Sequence, residues 1–170
     1  MMLEQLNGVY KTIDPGAAAS MAEAVDRYGR IFVYGGGRTG LMLKAFAMRL
    51  VQLGKTAYAV GETITPAIGA GDLLVVASAS GSTPLACHFA ETAKRGGADL
   101  YVITSPAPGR LSAVQAPQVT IDAPNKDTAS SDRYPMGTLF EQALLLFLDD
   151  VVGHMHGNAE TMRAIHANLE

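Results

Sequence analysis

Apolar residues follow two rhythms along this chain. Short runs rich in β-branched and aromatic residues, at Ile31–Tyr34, Thr56–Val60, Leu73–Ala77, Leu100–Thr104 and Val119–Ile121, have the length and composition of buried strands. Between most of them the apolar positions recur at helical spacing, over Leu41–Leu53, Pro84–Arg95 and a short Arg110–Val114. The connection between the second and third runs, GETITPAIGAGD, is shorter. Strands alternating with helices predict a parallel sheet covered on both faces. Two short amphipathic helices, over 2–12 and 16–28, come first; Asp14 is placed to cap between them and Pro15 suits a first helical turn. After the last strand a polar loop, Asp122–Pro135, leads to a long helix over Met136–Met155 and a helical tail to Glu170.

The expected fold class is therefore α/β, a three-layer sandwich with a five-stranded parallel, flavodoxin-like sheet flanked by helices. One domain over 1–170 is expected: N-terminal helices over 1–28, an α/β core over 30–155 and a C-terminal tail over 156–170. The segment LMLKAFAMRLVQL is apolar nearly all round, broken only by Lys44, Arg49 and Gln52, so it is predicted to pack on the sheet and also against another element or subunit. GTLFEQALLLFLDDVV is similar.

Composition narrows the function classes. With 170 residues there is room for one core but not for a dinucleotide domain and a separate substrate domain. The 48% hydrophobic and 17% charged content, with abundant Gly and Ala, favours extensive subunit contacts, and a homo-oligomer is expected. A net charge of -3 without any Lys/Arg cluster argues against a nucleic-acid partner. Cys87 is the single cysteine, so neither an intrachain disulfide nor a thiolate metal cluster is expected. The N-terminus lacks a basic start followed by an apolar core, and no apolar run approaches the roughly 18 residues of a membrane span. A cytoplasmic protein with no membrane partner is the expectation.

The stretch VYGGGRTG matches G-x-G-x-x-G on Gly35, Gly37 and Gly40. In a dinucleotide site it would cradle a pyrophosphate, and Glu62 lies near the offset of a ribose-binding acid. Two features oppose that reading: Arg38 sits inside the glycine stretch, and a second loop, SASGST, follows the third strand and ends at Pro84. In a flavodoxin-like strand order these two loops flank the point where the order reverses, which is where ligands bind. Hydroxyls and backbone N–H groups at a helix N-terminus suit a phosphate monoester. The plain alternative for the glycines is a tight strand-to-helix turn.

These residues also carry a family resemblance. RIFVYGGGRTGLMLKAFAMRLVQLGKTAYAVGETITPAIGAGDLLVVASASGST, VITS, PMGTLFEQALLLFLDDVV and the terminal HANLE resemble the 6-phospho-3-hexuloisomerases of the sugar isomerase (SIS) domain family, in order and over most of the chain from Arg30 onward. GRTGLMLKAFAMRL, VGETITPAI and PMGTLFEQ are the most specific pieces. The resemblance implies isomerisation of D-arabino-3-hexulose 6-phosphate to D-fructose 6-phosphate by proton transfer between C2 and C3. It implies no metal and no other cofactor, a small-molecule sugar phosphate as ligand, and a homo-oligomer, a tetramer rather than a dimer, with sites near subunit boundaries. Formaldehyde fixation and pentose supply both stay open as its setting. An isomerase of another sugar phosphate and a non-catalytic phosphosugar-sensing module remain alternatives, although sensing modules normally accompany a partner domain.

Such chemistry needs a base beside a carbonyl, a donor for the enediolate and a phosphate clamp. Glu141, in GTLFEQ, matches the family's proposed base; its plain alternative is a carboxylate favouring a helix N-terminus. Ser78, Ser80, Ser82 and Thr83 would hold the phosphate, with Gly36 and Gly37 lining the neighbouring loop. SASGST departs from the commoner S-G-S-G-E-T, Ala79 standing for a glycine and Ser82 for a glutamate. Arg38 would polarise the carbonyl and Glu62 would meet sugar hydroxyls, a rim salt bridge being the alternative for each. His166, in HANLE, would act as proton donor or ring-opening acid at an adjacent subunit's site, against the alternative of a loose tail end. His154 and His156 are spaced to point to different helix faces and make a poor metal pair, while Cys87 and His88 read as packing.

Overall fold

The computed structural model describes residues 1–126, 134–166 and 168. Two helices, α1 (Met2–Tyr10) and α2 (Ala17–Asp26), lead into β1 (Arg30–Gly35), α3 (Gly37–Gln52) and β2 (Thr56–Ala59). There follow β3 (Asp72–Ser78), α4 (Pro84–Arg95), β4 (Asp99–Thr104), α5 (Arg110–Val114), β5 (Val119–Thr120), α6 (Thr138–His154) and α7 (Ala159–Ile165). The strands form one five-stranded sheet in the order β2-β1-β3-β4-β5, and each pair of neighbours runs parallel. This is the expected α/β sandwich.

Alternation along each strand builds two cores, because successive side chains point to opposite faces. Ile31, Val33, Leu73, Val75, Ala77 and Ile103 face one side, where they join Leu43, Phe46 and Leu50 of α3 and Phe140, Leu144 and Phe147 of α6. Leu6 and Val9 of α1 and Met21 and Val25 of α2 complete that core. Phe32, Leu74, Val76, Leu100 and Val102 face the other side, against Ala86, Cys87 and Ala90 of α4 and Leu111 of α5. The central strand β3 is buried along its whole length, as a strand covered by helices on both faces must be.

Depth in the sheet brings a charged group inside, and it is paired there. Asp72 is 3% exposed at the start of β3. Arg30, its register partner on β1, donates to both carboxylate oxygens, from Nε to Oδ1 at 2.8 Å and from Nη2 to Oδ2 at 2.6 Å. The guanidinium, with help from the Gly69 N–H, holds the Asp72 carboxyl below the usual carboxylate range.

One element begins earlier than the apolar pattern predicts. Helix α3 opens at Gly37 rather than Leu41, so most of the glycine stretch forms its first turn. The low intrinsic helix propensity of glycine hides such a start from pattern reading.

Candidate functional site

Geometry at the β1–α3 junction accounts for the glycines. Gly37 has φ +54°, in the left-handed region where a side chain is strained. At Gly40 an added Cβ would lie 2.4 Å from the Gly35 carbonyl oxygen, so glycine lets α3 start directly on the end of its strand. The backbone of Gly36 and Gly37 is thereby laid open beside the end of β3.

The second loop leaves β3 at Ser78. Its Oγ lies 2.9 Å from Thr83 Oγ1, and the Ser80 Oγ accepts from the Ser82 N–H at 3.3 Å. Thr83 is the N-cap residue of α4, yet its side chain makes no capping bond, and Pro84 fills the first turn. The N–H groups of Leu85 and Ala86 therefore have no intrahelical acceptor. They point out of the positive end of a twelve-residue helix, which favours an anion.

A cavity of about 500 Å³ opens between these two loops and the start of α6. Its lining includes Gly36, Gly37, Arg38, Ser78, Ser80, Thr83 and Glu141, the residues that the sequence places at a phosphosugar site. Glu141 lies in the first turn of α6, with its side chain 14% exposed, and its Oε2 is 3.3 Å from Arg38 Nε. Burial pushes the Glu141 carboxyl above its ordinary range, while the Arg38 charge pulls the other way without cancelling the rise. The turn that delivers α6 is strained: Met136 has φ 68° and Gly137 φ 133°. Thr138 Oγ1 donates back to the Pro135 carbonyl at 2.7 Å and braces it. A non-glycine residue in that conformation costs about 1–3 kcal/mol, and such costs cluster at functional sites.

Three expected site residues stand outside this cavity in the chain. Ser82 turns its Oγ to accept from the Arg110 N–H at 3.2 Å, so it ties the loop to α5. Glu62 forms an exposed ion pair with Lys44 on α3, the plain alternative for that residue. His166 is an exposed residue just past the end of α7, not among the cavity-lining residues. Near the start of the tail, Gly157 sits against Leu53, at the end of α3 away from the cavity.

Other lining residues escaped the sequence reading: Thr39, Asn125, Lys126, Met136 and Thr138. Topology contains the signal that finds Asn125 and Lys126. Residues 121–126 lead from the edge strand β5 to the cavity beside the ends of β1 and β3, and α6 packs on α3. Among the described residues no group of three or more His, Cys, Asp or Glu side chains could hold a metal ion, and no helix is long and apolar enough to cross a membrane.

Known proteins share this sequence and architecture. The SIS domain family model matches residues 26–146. A 3-hexulose-6-phosphate isomerase from Mycobacterium gastri is 41% identical, over 93% of this chain and 82% of its own. One from Methylomonas aminofaciens is 36% identical, over 100% of this chain and 97% of its own. A crystal structure from Methanococcus jannaschii, from which a 3-hexulose-6-phosphate isomerase function was inferred, superposes with a TM-score of 0.78 at 30% identity, over 91% of this chain and 86% of that one. The chain belongs to the SIS domain family.

Proposed function

We propose that this protein is an isomerase interconverting D-arabino-3-hexulose 6-phosphate and D-fructose 6-phosphate. The observation that carries the reading is the meeting, in one cavity, of a hydroxyl-rich loop at a helix N-terminus with a sheltered carboxyl from α6. The loop offers a phosphate its Ser78, Ser80 and Thr83 hydroxyls and the N–H groups opening α4. Glu141 then takes the C2 proton of the 3-keto sugar, and the C3 oxygen accumulates the negative charge of a 2,3-enediolate. Arg38, beside the Glu141 carboxylate, is a cation placed to stabilise that charge. The C2 hydroxyl proton passes to the C3 oxygen and Glu141 returns the carbon proton to C3, which leaves the carbonyl at C2 and completes the exchange. The names of the relatives support the substrate.

The proposal extends to assembly and place. Leu41, Met48 and Val51 of α3 are exposed at 57%, 46% and 42% in the single chain, and α3 begins at the cavity wall. A homo-oligomer, in our reading a tetramer, covers them and carries His166 toward a neighbour's cavity as a proton donor. The cytoplasm, where sugar phosphates are kept, is the proposed location.

The deciding experiment generates the hexulose phosphate in place from ribulose 5-phosphate and formaldehyde and reads fructose 6-phosphate through a coupled enzyme. Turnover is expected for the wild type. If the wild type is silent while fructose 6-phosphate still raises its melting temperature, the isomerase reading falls and a phosphosugar binder, or an isomerase of another sugar, replaces it.

A further inference from the structure

Charge bookkeeping in the cavity leaves one residue without a task. Among the residues lining it, Arg38, Lys126 and Glu141 are charged and the rest are neutral. Arg38 is engaged with Glu141 at 3.3 Å. Were Arg38 to swing to a phosphate, Glu141 would lose the charge that partly offsets its burial, and the enediolate would lose its neighbouring cation. One guanidinium cannot serve both groups well. Without Lys126 the cavity would hold a balanced pair and be asked to accept a dianion. With it, the empty site carries a net positive charge.

The path of the chain after β5 sets Lys126 where this charge is useful. Ile121 donates its N–H to the Thr104 carbonyl at 2.9 Å and so extends the strand pairing by a residue. From there burial alternates: Ile121, Ala123 and Asn125 are buried at 0%, 7% and 6% exposure, while Asp122, Pro124 and Lys126 are exposed. The inward residues pin the segment down, and Lys126 is left at the cavity with its side chain in contact with solvent. Among the described residues no salt bridge holds it. A flexible ammonium at a wet rim pays little desolvation and suits a phosphate as a point charge.

We propose that Lys126 is the phosphate-binding cation of this site, reaching the sugar phosphate from the wall of the cavity that the Ser78–Thr83 loop also lines. This rests on the phosphosugar reading above and adds a substrate-affinity residue to it. The test measures binding of fructose 6-phosphate, inorganic phosphate and fructose by calorimetry, together with kcat and KM, for the wild type, Lys126→Met and Lys126→Arg. Loss of the charge-assisted contact in Lys126→Met is expected to weaken fructose 6-phosphate binding and raise KM roughly tenfold or more, with kcat changed less than about threefold. Lys126→Arg should recover most of the affinity, and the salt dependence of binding should flatten in Lys126→Met. Undiminished fructose 6-phosphate binding by a folded Lys126→Met protein would overturn the proposal while leaving the phosphosugar reading intact. So would a collapse of kcat at unchanged affinity, which would move Lys126 to the reacting oxygens. A wild type that binds neither fructose 6-phosphate nor phosphate sinks the site reading itself, and this proposal with it.

Discussion

Glu141 is held between two opposed effects, and their balance makes it separable as a catalytic group. Burial disfavours its charge more than Arg38 favours it, so its folded pKa lies above its unfolded one. The stabilising contribution of such a group is present below the unfolded pKa and is lost as pH rises through the folded pKa. At neutral pH the ionised carboxylate therefore costs stability. Glu141→Gln removes that cost and gives up only an ion pair to an Arg38 whose side chain is 54% exposed, a contact worth little. The variant should keep a melting temperature at pH 7 no lower than the wild type while losing roughly 10²-fold or more in kcat, as expected for a missing general base. In the wild type, the acid limb of kcat/KM should sit above the range of an ordinary glutamate. A fall in melting temperature alongside the lost activity would assign Glu141 a structural role.

At the scale of elements, the β1–α3 junction carries the sharpest packing demand. Gly40→Ala drives a Cβ into the Gly35 backbone at 2.4 Å, and only movement of helix or strand can relieve that clash. Gly37→Ala meets open space and pays only for its left-handed φ. Denaturant midpoints should show about 3 kcal/mol lost for Gly40→Ala, against about 1–2 kcal/mol for Gly37→Ala. A loss for Gly40→Ala no larger than that for Gly37→Ala would mean that helix and strand shift readily to relieve the clash.

That junction also shows which parts of the structure can be read from sequence. Strands and helices were legible because the burial period switches between them; their alternation predicts a parallel sheet, and the strand order is the expected flavodoxin-like one. Gly36, Gly37, Arg38, Ser78, Ser80, Thr83 and Glu141 share a cavity because ligand-facing loops in a parallel sheet gather where the strand order reverses. Directions within those loops were not legible. Ser82 and Glu62 lie in the expected segments but turn to Arg110 and Lys44, contacts between residues 28 and 18 positions apart that no local pattern encodes. Lys126 was hidden for the complementary reason: its segment is merely polar in sequence, and only the path of the chain after β5 brings it to the cavity.

For the whole molecule, the exposed face of α3 decides between a finished monomer and an incomplete one. Single exposed apolar residues need no explanation, but Leu41 and Met48 stand seven residues apart on one face of a helix that also builds the cavity wall. Leu85, in the first turn of α4, is 56% exposed and adds to the apolar surface near the site. Burying side chains of this size is worth about 1.5–3 kcal/mol each, so a few of them covered across a symmetric interface contribute substantially to association. On the tetramer proposed above, light scattering of the wild type should give a mass near four times the 17.8 kDa of the chain. The double variant Leu41→Lys, Met48→Lys places like charges opposite each other wherever these faces meet across a two-fold axis, and should shift the protein to smaller species with its circular dichroism unchanged. If His166 works in a neighbour's cavity, turnover should fall with that dissociation, while a dissociated protein of full activity would return His166 to the tail. A monomeric wild type would end the oligomer proposal and leave the exposed row on α3 as ordinary surface.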